Sequence, residues 1–494
     1  MFNNNKKRKS EKEYEESLSF DMYEIKEYHF HVYFMQNDKQ QVTHAKLLFE
    51  KLKAISTNEK QKKIKVSQLT IDTTESKLNI TNKLLFDFQN SILKSKSFEQ
   101  LILNYNNQIK LLTDLNIIKD AKIIIDGNTK DNLKTTVLFT PSKTILAKTG
   151  TNFGNSESEA YAQVSLNNIS GTGDKLAANF MWNLYSDDLF KNDINFTGDL
   201  RRKFLGSYSR PLFYDPNLIL NFKIKHQNNP YTLFSSFNER LNSLQVDLDF
   251  LHSPKSKHSI GYNLDWRENH TLNKEASLTV RNDAGSSVKS SLFHEFKFYS
   301  KKNFGFNFAL PQETGYYFNL KNELAGFLPD YNIGDVNFFK STVNSTFNLN
   351  FWKDFNLMTS FRAGLLYPLS SKINDKFFLG GPTSIRGFPH HTLGPKDGQD
   401  SVGGDLFWAV GTSLITPLPY IREAPLKGHF FFNSGKLSRF EKIEELKKPN
   451  LSVGLGLLCK FSFLRVEVNY CLPVVGESIL HKGSIQFGVG TEFL

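Results

Sequence analysis

The sequence predicts a mainly β chain: about 16 antiparallel strands suited to a transmembrane β-barrel, behind one small α+β unit. Three observations predict it. From about residue 143 to the C-terminus, apolar and polar residues alternate in segment after segment, with turn residues between them. Clear helical spacing appears between residues 84 and 112 and then vanishes. The 494 residues include 45 Phe and 18 Tyr, yet no uncharged apolar run of about 18 residues exists to make a transmembrane helix.

Bulk properties narrow the classes. A chain of 494 residues holds two or three compact domains, or one large β-architecture plus a small one. The net charge of +11 favours anionic partners, but Lys is diluted by Asn, Ser and acids. No basic stripe interleaved with aromatics argues for nucleic acid. Cys459 and Cys471 are too few for a disulfide framework and fall out of register on neighbouring candidate strands, so they read as unpaired packing thiols. The start, Met1 to Ser10, is polar and basic without an apolar h-region, unlike a secretory signal. A mean hydropathy of −0.39 ordinarily means a soluble protein, but in a barrel only every second residue meets lipid.

Residues 1–62 form a polar N-terminal extension expected to be partly mobile, with a short strand at Tyr28–Phe34 and a helix from Thr43 to Ala54. His29 and His31 have no further ligands spaced to complete a metal site. Residues 63–141 form one α+β domain. Ile64, Val66, Leu69 and Ile71 suggest a strand; Leu84, Leu85, Phe88, Ile92 and Leu93 a helix. Phe98, Leu101, Ile102, Tyr105, Ile109 and Leu112 mark a second helix. Ala121–Ile125 and Thr135–Phe139 are strands flanking a turn at Asp126-Gly127-Asn128.

Beyond residue 143 the period is 2. In Leu218–Lys225, Leu220, Phe222 and Ile224 face away from Asn221, Lys223 and Lys225. Leu244–Phe250, Phe304–Phe308, Phe347–Phe351 and Leu464–Tyr470 alternate in the same way. A large soluble β-protein and a membrane barrel both produce such a pattern; charges alternating with Phe, Leu and Val suit a polar lumen and a lipid-facing exterior. At roughly 21 residues per strand and connection, the segment holds about sixteen strands.

One segment breaks the alternation. Phe377–Phe388 places Gly380, Gly381, Pro382 and Gly387 among large apolar residues, with Arg386 between Ile385 and Gly387. A buried guanidinium needs a carboxylate, amide or carbonyl partner. Leu379–Phe388 resembles the inward loop of the outer membrane protein 85 superfamily, the BamA-like insertases, with the closest likeness in its branch of mitochondrial sorting and assembly machinery (SAM) core subunits. His390–Pro395, Gly403-Gly404 and Thr416–Pro419 continue in that family's order; His429–Leu437 is similar to its wall strand, and Arg465–Pro473 and Gln486–Gly490 to its end. The unit at 63–141 has the strand order of a polypeptide-transport-associated (POTRA) domain.

The resemblance implies a barrel over residues 143–494 whose loop at about 377–400 folds into the lumen. The implied loop residues are Leu379, Gly380, Gly381, Ser384, Ile385, Arg386, Gly387 and Phe388, anchored on Phe431, Asn433 and Gly435. Bacterial relatives usually carry Asp where Asn433 stands, so Arg386 is expected to be hydrogen-bonded rather than ion-paired. Lys396, Asp397 and Asp400 read as solvated loop charges. In the last strand, Gln486, Gly488, Thr491 and Phe493 resemble the mitochondrial β-signal, with Thr491 where a larger apolar residue is expected.

The implied function is that of the core subunit of the sorting and assembly machinery. It inserts and folds β-barrel precursor proteins by strand exchange at a seam between the first strand, about 143–154, and the last, about 483–494. The location implied is the mitochondrial outer membrane, as a multi-pass barrel with the POTRA-like domain in the intermembrane space. Implied partners are the precursors, metaxin-like accessory subunits on the cytosolic side, outer-membrane lipids, intermembrane-space chaperones and inner-membrane contact-site proteins. Neither a cofactor nor a metal is expected, nor enzymatic activity, since His390 and His391 lack a Ser or Cys partner. A passive outer-membrane channel and a plastid-type polypeptide translocation pore are the alternatives.

Overall fold

The computed structural model describes residues 29–34, 65–73, 78–127, 132–153, 158–183, 202–231, 234–270, 272–300, 314–326, 334–352, 355–418, 426–461, 464–476 and 483–490. The helix expected at Thr43–Ala54, the alternating segment Phe304–Phe308, and Asn128, Pro419, Thr491 and Phe493 lie outside them. The chain divides into two units, residues 1–143 with 170–173, and residues 144–169 with 174–494.

The first unit contains β1 (His29–Phe34), β2 (Lys65–Thr73), α1 (Asn82–Leu93), α2 (Phe98–Asp114), β3 (Ile118–Gly127) and β4 (Asn132–Pro141). Its sheet runs in the order β1-β3-β4-β2, with β2 parallel to β4. The period of 3.6 puts Leu84, Phe88 and Ile92 on one side of α1, and Leu101, Ile102, Tyr105, Ile109 and Leu112 on one side of α2. These residues are buried together with Ile123, Ile125, Val137 and Phe139. Ser97 starts α2 by accepting the Gln100 N–H at 3.2 Å. The stretch set aside as an extension therefore supplies a strand, β1, to this sheet through its pairing with β3.

The second unit is a sheet of 16 strands, each antiparallel to the next, as the alternation predicts. They are β5 (Ile145–Phe153), β6 (Ser158–Asn167), β7 (Lys175–Asn183), β8 (Arg202–Pro211), β9 (Leu218–Pro230), β10 (Asn238–Ser253), β11 (Ser256–His270) and β12 (Gly285–Tyr299). After α3 (Leu278–Asn282), which lies between β11 and β12, come β13 (Gly315–Ala325), β14 (Asn337–Trp352) and β15 (Phe355–Ser370). The loop hairpin β16 (Lys396–Asp397) and β17 (Asp400–Ser401) precedes β18 (Leu406–Pro417), β19 (Leu426–Ser438), β20 (Asn450–Phe461), β21 (Leu464–Val475) and β22 (Ser484–Gly490). The ladders run unbroken from β5 to β22, and none joins those two end strands among the described residues.

The two faces of this sheet invert the arrangement of a soluble protein. On β10, Leu244, Val246, Leu248 and Phe250 are exposed, whereas Ser243, Asp247 and Asp249 are buried. On β21, Val468, Tyr470, Leu472 and Val474 are exposed, whereas Glu467 and Asn469 are buried. An apolar face this extensive is incompatible with water and matches hydrocarbon. Among the described residues, no helix is long and apolar enough to cross a membrane. The buried polar face satisfies itself: Asn221 Nδ2 donates to Asp247 at 2.8 Å and to Asp249 at 2.9 Å, and Lys289 bridges Asp265 at 3.0 Å and Glu323 at 2.8 Å. Cys459 and Cys471 are both free, set opposite Val466 and Gly454 in the β20–β21 ladder.

Candidate functional site

The connection between β15 and β18, residues 371–405, lies against the polar face of the sheet. Asn374 Nδ2 donates to Glu239 on β10 at 2.6 Å, and Asp375 is ion-paired with Arg267 on β11. Lys340 Nζ on β14 donates to the Asp375 carbonyl at 2.7 Å. Further along, the loop reaches β19, β21 and β22. One segment can touch strands so far apart in the ladder order, all on one face, only if the sheet curls around it.

The loop is built as a small folded element. Phe377 and Gly404 exchange both backbone hydrogen bonds at 2.9 Å, and Leu393 N–H donates to Leu379 O at 3.1 Å, so its two limbs pair with each other. Phe377, Leu379, Ile385, Phe388 and Leu393 then pack with Leu366, Ala409 and Leu437 in one buried apolar cluster. Ser384 N–H donates to Gly381 O at 3.1 Å, and Gly381 N–H to Phe388 O at 3.2 Å, closing the turn that aims Arg386. The torsion φ is +111° at Gly380, +108° at Gly381 and +86° at Gly387. At Gly387 a Cβ would also lie 3.1 Å from Ser452 Cβ and 3.4 Å from Cys471 Cβ, so both conformation and space select glycine.

Arg386 has 0% exposure, which makes its partners decisive. Nε donates to Glu467 Oε2 at 3.0 Å and Nη2 to Glu467 Oε1 at 3.2 Å, a two-point ion pair. Nη1 donates to Asn433 Oδ1 at 3.3 Å, and the guanidinium carbon lies 5.0 Å from the centre of the Phe431 ring. The expectation of a hydrogen-bonded rather than ion-paired Arg386 is thus corrected. Asn433 is a partner, but the acid missing from β19 is supplied by Glu467 on β21. The Asn433 Nδ2 group turns instead to Ser384 O, at 3.1 Å.

Strand β20 permits this. Its inner face carries Ser452, Gly454 and Gly456, too small to separate β19 from β21. Across Gly456, His429 Nε2 and Asn469 Oδ1 lie 2.6 Å apart, and Asn469 Nδ2 donates to Glu467 Oε2 at 2.7 Å. Glu467 is therefore held from two sides. Gly435 is the counterpart on β19, where a Cβ would lie 2.6 Å from Ile385 Cδ1.

The last strand also reaches the loop. Gln486 Oε1 accepts the Gly387 N–H at 2.9 Å, and Gln486 Nε2 donates to Phe388 O at 3.1 Å. Gly488 stands opposite Glu467 in the β21–β22 ladder. Asp397 and Asp400, expected as solvated charges, are corrected to anchors. Asp400 is buried, accepting Ser236 Oγ at 2.6 Å and Ser277 N–H at 2.8 Å, while Asp397 accepts the Thr279 N–H at 3.0 Å and its hydroxyl at 2.7 Å. Sequence reasoning missed Glu467 as the loop's partner, and Asn469 and His429 as the residues behind it, although the alternation of β21 placed Glu467 and Asn469 on the inner face. Among the described residues no cluster of His, Cys, Asp and Glu suits a metal ion.

A family model described as the Omp85 superfamily domain matches residues 168–493. The sorting and assembly machinery component 50 homolog of Homo sapiens is 29% identical over 438 residues, spanning 82% of this chain and 85% of that protein. The sorting assembly machinery 50 kDa subunit of Saccharomyces cerevisiae is 28% identical, spanning 82% of this chain and 89% of that protein. The crystal structure of BamA from Haemophilus ducreyi lacking POTRA domains 1-3 superposes with a TM-score of 0.67 at 14% identity, covering 86% of this chain and 84% of that chain, a likeness of fold.

Proposed function

We infer the function of this chain from one premise: it belongs to the Omp85 superfamily. It is the core subunit of a sorting and assembly machinery, working in the mitochondrial outer membrane to insert and fold β-barrel precursors. The carrying observation is that the sheet ends in two strands, β5 and β22, with no ladder between them among the described residues. A strand edge with unpaired N–H and C=O groups is a template for another strand. A precursor's terminal strand pairs with β5 in place of β22, successive hairpins extend from it, and the new barrel leaves when its own edges meet. Backbone hydrogen bonds are exchanged at each step rather than lost, so strand pairing itself requires no nucleotide hydrolysis. The POTRA-like unit faces the intermembrane space in this reading, and accessory subunits bind on the cytosolic side.

The loop's anchors run from Glu239 and Arg267 to Glu467 and Gln486, a support that favours the assembly reading over a passive channel. The test is depletion of this protein followed by measurement of porin assembly in isolated mitochondria. Assembly of outer-membrane porins is expected to fall while insertion of helix-anchored outer-membrane proteins continues. Porin assembly at the normal rate after depletion would overturn the reading.

A further inference from the structure

Two histidines stand on the side of the barrel wall that meets lipid. On β11, Ile260 and Trp266 are exposed while Ser259, Asp265 and Arg267 are buried, so alternation puts His258 on the outward side. In the β11–β12 ladder His294 stands opposite Ile260, and Phe296 opposite His258. His258 Nδ1 and His294 Nε2 lie 3.1 Å apart, with their ring planes 17° from parallel. An ionisable group turned toward lipid is costly unless it has a partner there. The bond between the rings occupies one nitrogen of each. It leaves His258 Nε2 and His294 Nδ1 without a protein partner among the described residues. In the neutral pair one of these is a donor and the other an acceptor, and one added proton makes both donors.

The surroundings set the depth and the charge. The ring centres of His258 and Phe296 are 4.6 Å apart, those of Phe296 and Phe318 6.3 Å, and those of Phe298 and Tyr316 5.3 Å. Aromatic bands of this kind lie at the level of lipid headgroups. At the strand ends the turn 253–256 carries exposed Lys255, and the β10–β11 ladder passes from Leu251 to Ser253, leaving exposed His252 out of it. The acids of the same corner are matched by lysines on the inward side: Asp249 pairs with Lys257 at 2.8 Å and Glu295 with Lys297 at 2.9 Å. Asp215, in the neighbouring turn whose Asn217 O accepts the Leu251 N–H, takes its hydrogen bonds from Asn217. The outward side thus presents His252, Lys255, His258 and His294 with no acid among them. A phosphodiester, anionic and acceptor-only, is the complement of such a set.

We propose that His258, supported by His294 and flanked by His252 and Lys255, binds the phosphate of an anionic phospholipid beside the β10–β11 turn. Strands β10 to β12 are the sixth to eighth of 16, across the barrel from β5 and β22. A lipid held there fixes the depth of this wall in the bilayer while the edges at β5 and β22 part. That consequence rests on the strand-exchange reading above; the lipid site does not.

The test uses the full-length protein in detergent micelles holding equal amounts of phosphatidylcholine and phosphatidylglycerol, with retained lipids counted by native mass spectrometry. The unaltered chain is expected to prefer phosphatidylglycerol by roughly fivefold or more. The double change His258→Leu with His294→Leu puts apolar groups on a lipid-facing wall, so the barrel stays folded, and the preference is expected to drop by about threefold or more. Lys255→Gln alters an exposed turn residue, spares the wall altogether, and is expected to lower the preference by about twofold. Phosphatidylglycerol with a photoreactive headgroup is expected to attach within residues 250–258 or 293–299 of the unaltered chain. An unchanged preference in the double variant, or attachment only elsewhere, overturns the site; an unchanged preference in Lys255→Gln removes that lysine from it. Lys274→Gln takes one charge from the exposed connection between β11 and β12, at the opposite ends of those strands. A loss there equal to that of the histidine pair shows attraction to bulk charge and also overturns the site.

Discussion

Replacing Arg386 by Met tests whether the loop is held by a buried ion pair. Methionine keeps much of the side-chain volume against Phe431 but removes two hydrogen bonds to Glu467, at 3.0 and 3.2 Å, and one to Asn433 at 3.3 Å. Hydrogen bonds to charged groups contribute about 1.5–3 kcal/mol each. Breaking a buried pair from one side costs about 3–5 kcal/mol, because the other charge stays behind without its counterion. Both partners have 0% side-chain exposure, so solvent screening does not reduce that figure. Glu467 retains Asn469 Nδ2 at 2.7 Å, which softens the loss. We therefore expect Arg386→Met to destabilise the barrel by about 4 kcal/mol. Removing both charges with Arg386→Met and Glu467→Leu eliminates the stranded carboxylate, so the double variant is expected to recover at least half of that loss. The assay is denaturant unfolding of the detergent-folded barrel, followed by fluorescence of its four tryptophans. A single-variant cost below about 1 kcal/mol, or a double variant no better than the sum of the singles, would refute the reasoning.

Four further outcomes are expected. Gly387→Ala forces a Cβ onto a residue with φ of +86°, 3.1 Å from Ser452 Cβ, and should lower the same unfolding transition by about 1–3 kcal/mol. Gly456→Ala places a methyl between His429 and Asn469, releasing the support of Glu467; a drop of about 2 kcal/mol in the barrel transition checks it. Phe88→Ala, in the core of the first unit beside Tyr105 and Phe139, should cost about 3–5 kcal/mol, read as lost helical circular dichroism in a fragment only if that fragment folds, and otherwise as faster proteolysis between residues 78 and 127 of the full chain. Alkaline extraction should leave the protein in the membrane pellet, since Phe222, Ile224, Phe250 and Val474 face outward, and appearance in the supernatant would contradict a spanning barrel.

Much of the architecture was legible because it is written locally. The residues of Leu244–Phe250 alternate in sequence and do so in space, as period 2 is a property of any extended backbone. The helical faces of α1 and α2 likewise follow from spacing alone. Legibility falls where partners meet across strands. Arg386 reads from the sequence as a side chain in need of a partner, yet Glu467 lies 81 residues away and is reached across the small residues of β20. No local pattern distinguishes it from the other inward acids. Asp400 looked like a loop charge because its partners, Ser236 and Ser277, belong to two distant connections that fold onto it. Gln486 had a place in a strand motif, but its bonds to Gly387 and Phe388 require the loop to have folded inward first.

Strand periodicity, the apolar and polar faces, the glycine-rich loop and the small α+β unit all follow from how residues adjacent in sequence share a backbone. Tertiary structure alone decided which acid answers Arg386, that β1 joins the first sheet, and that the loop bonds the last strand. The loop reaches Glu239, Arg267 and Lys340 as well as Asn433, Glu467 and Gln486 only because the sheet of 16 strands curls around residues 371–405, while β19, β21 and β22, close together in the ladder, meet Arg386 and its neighbours from one side.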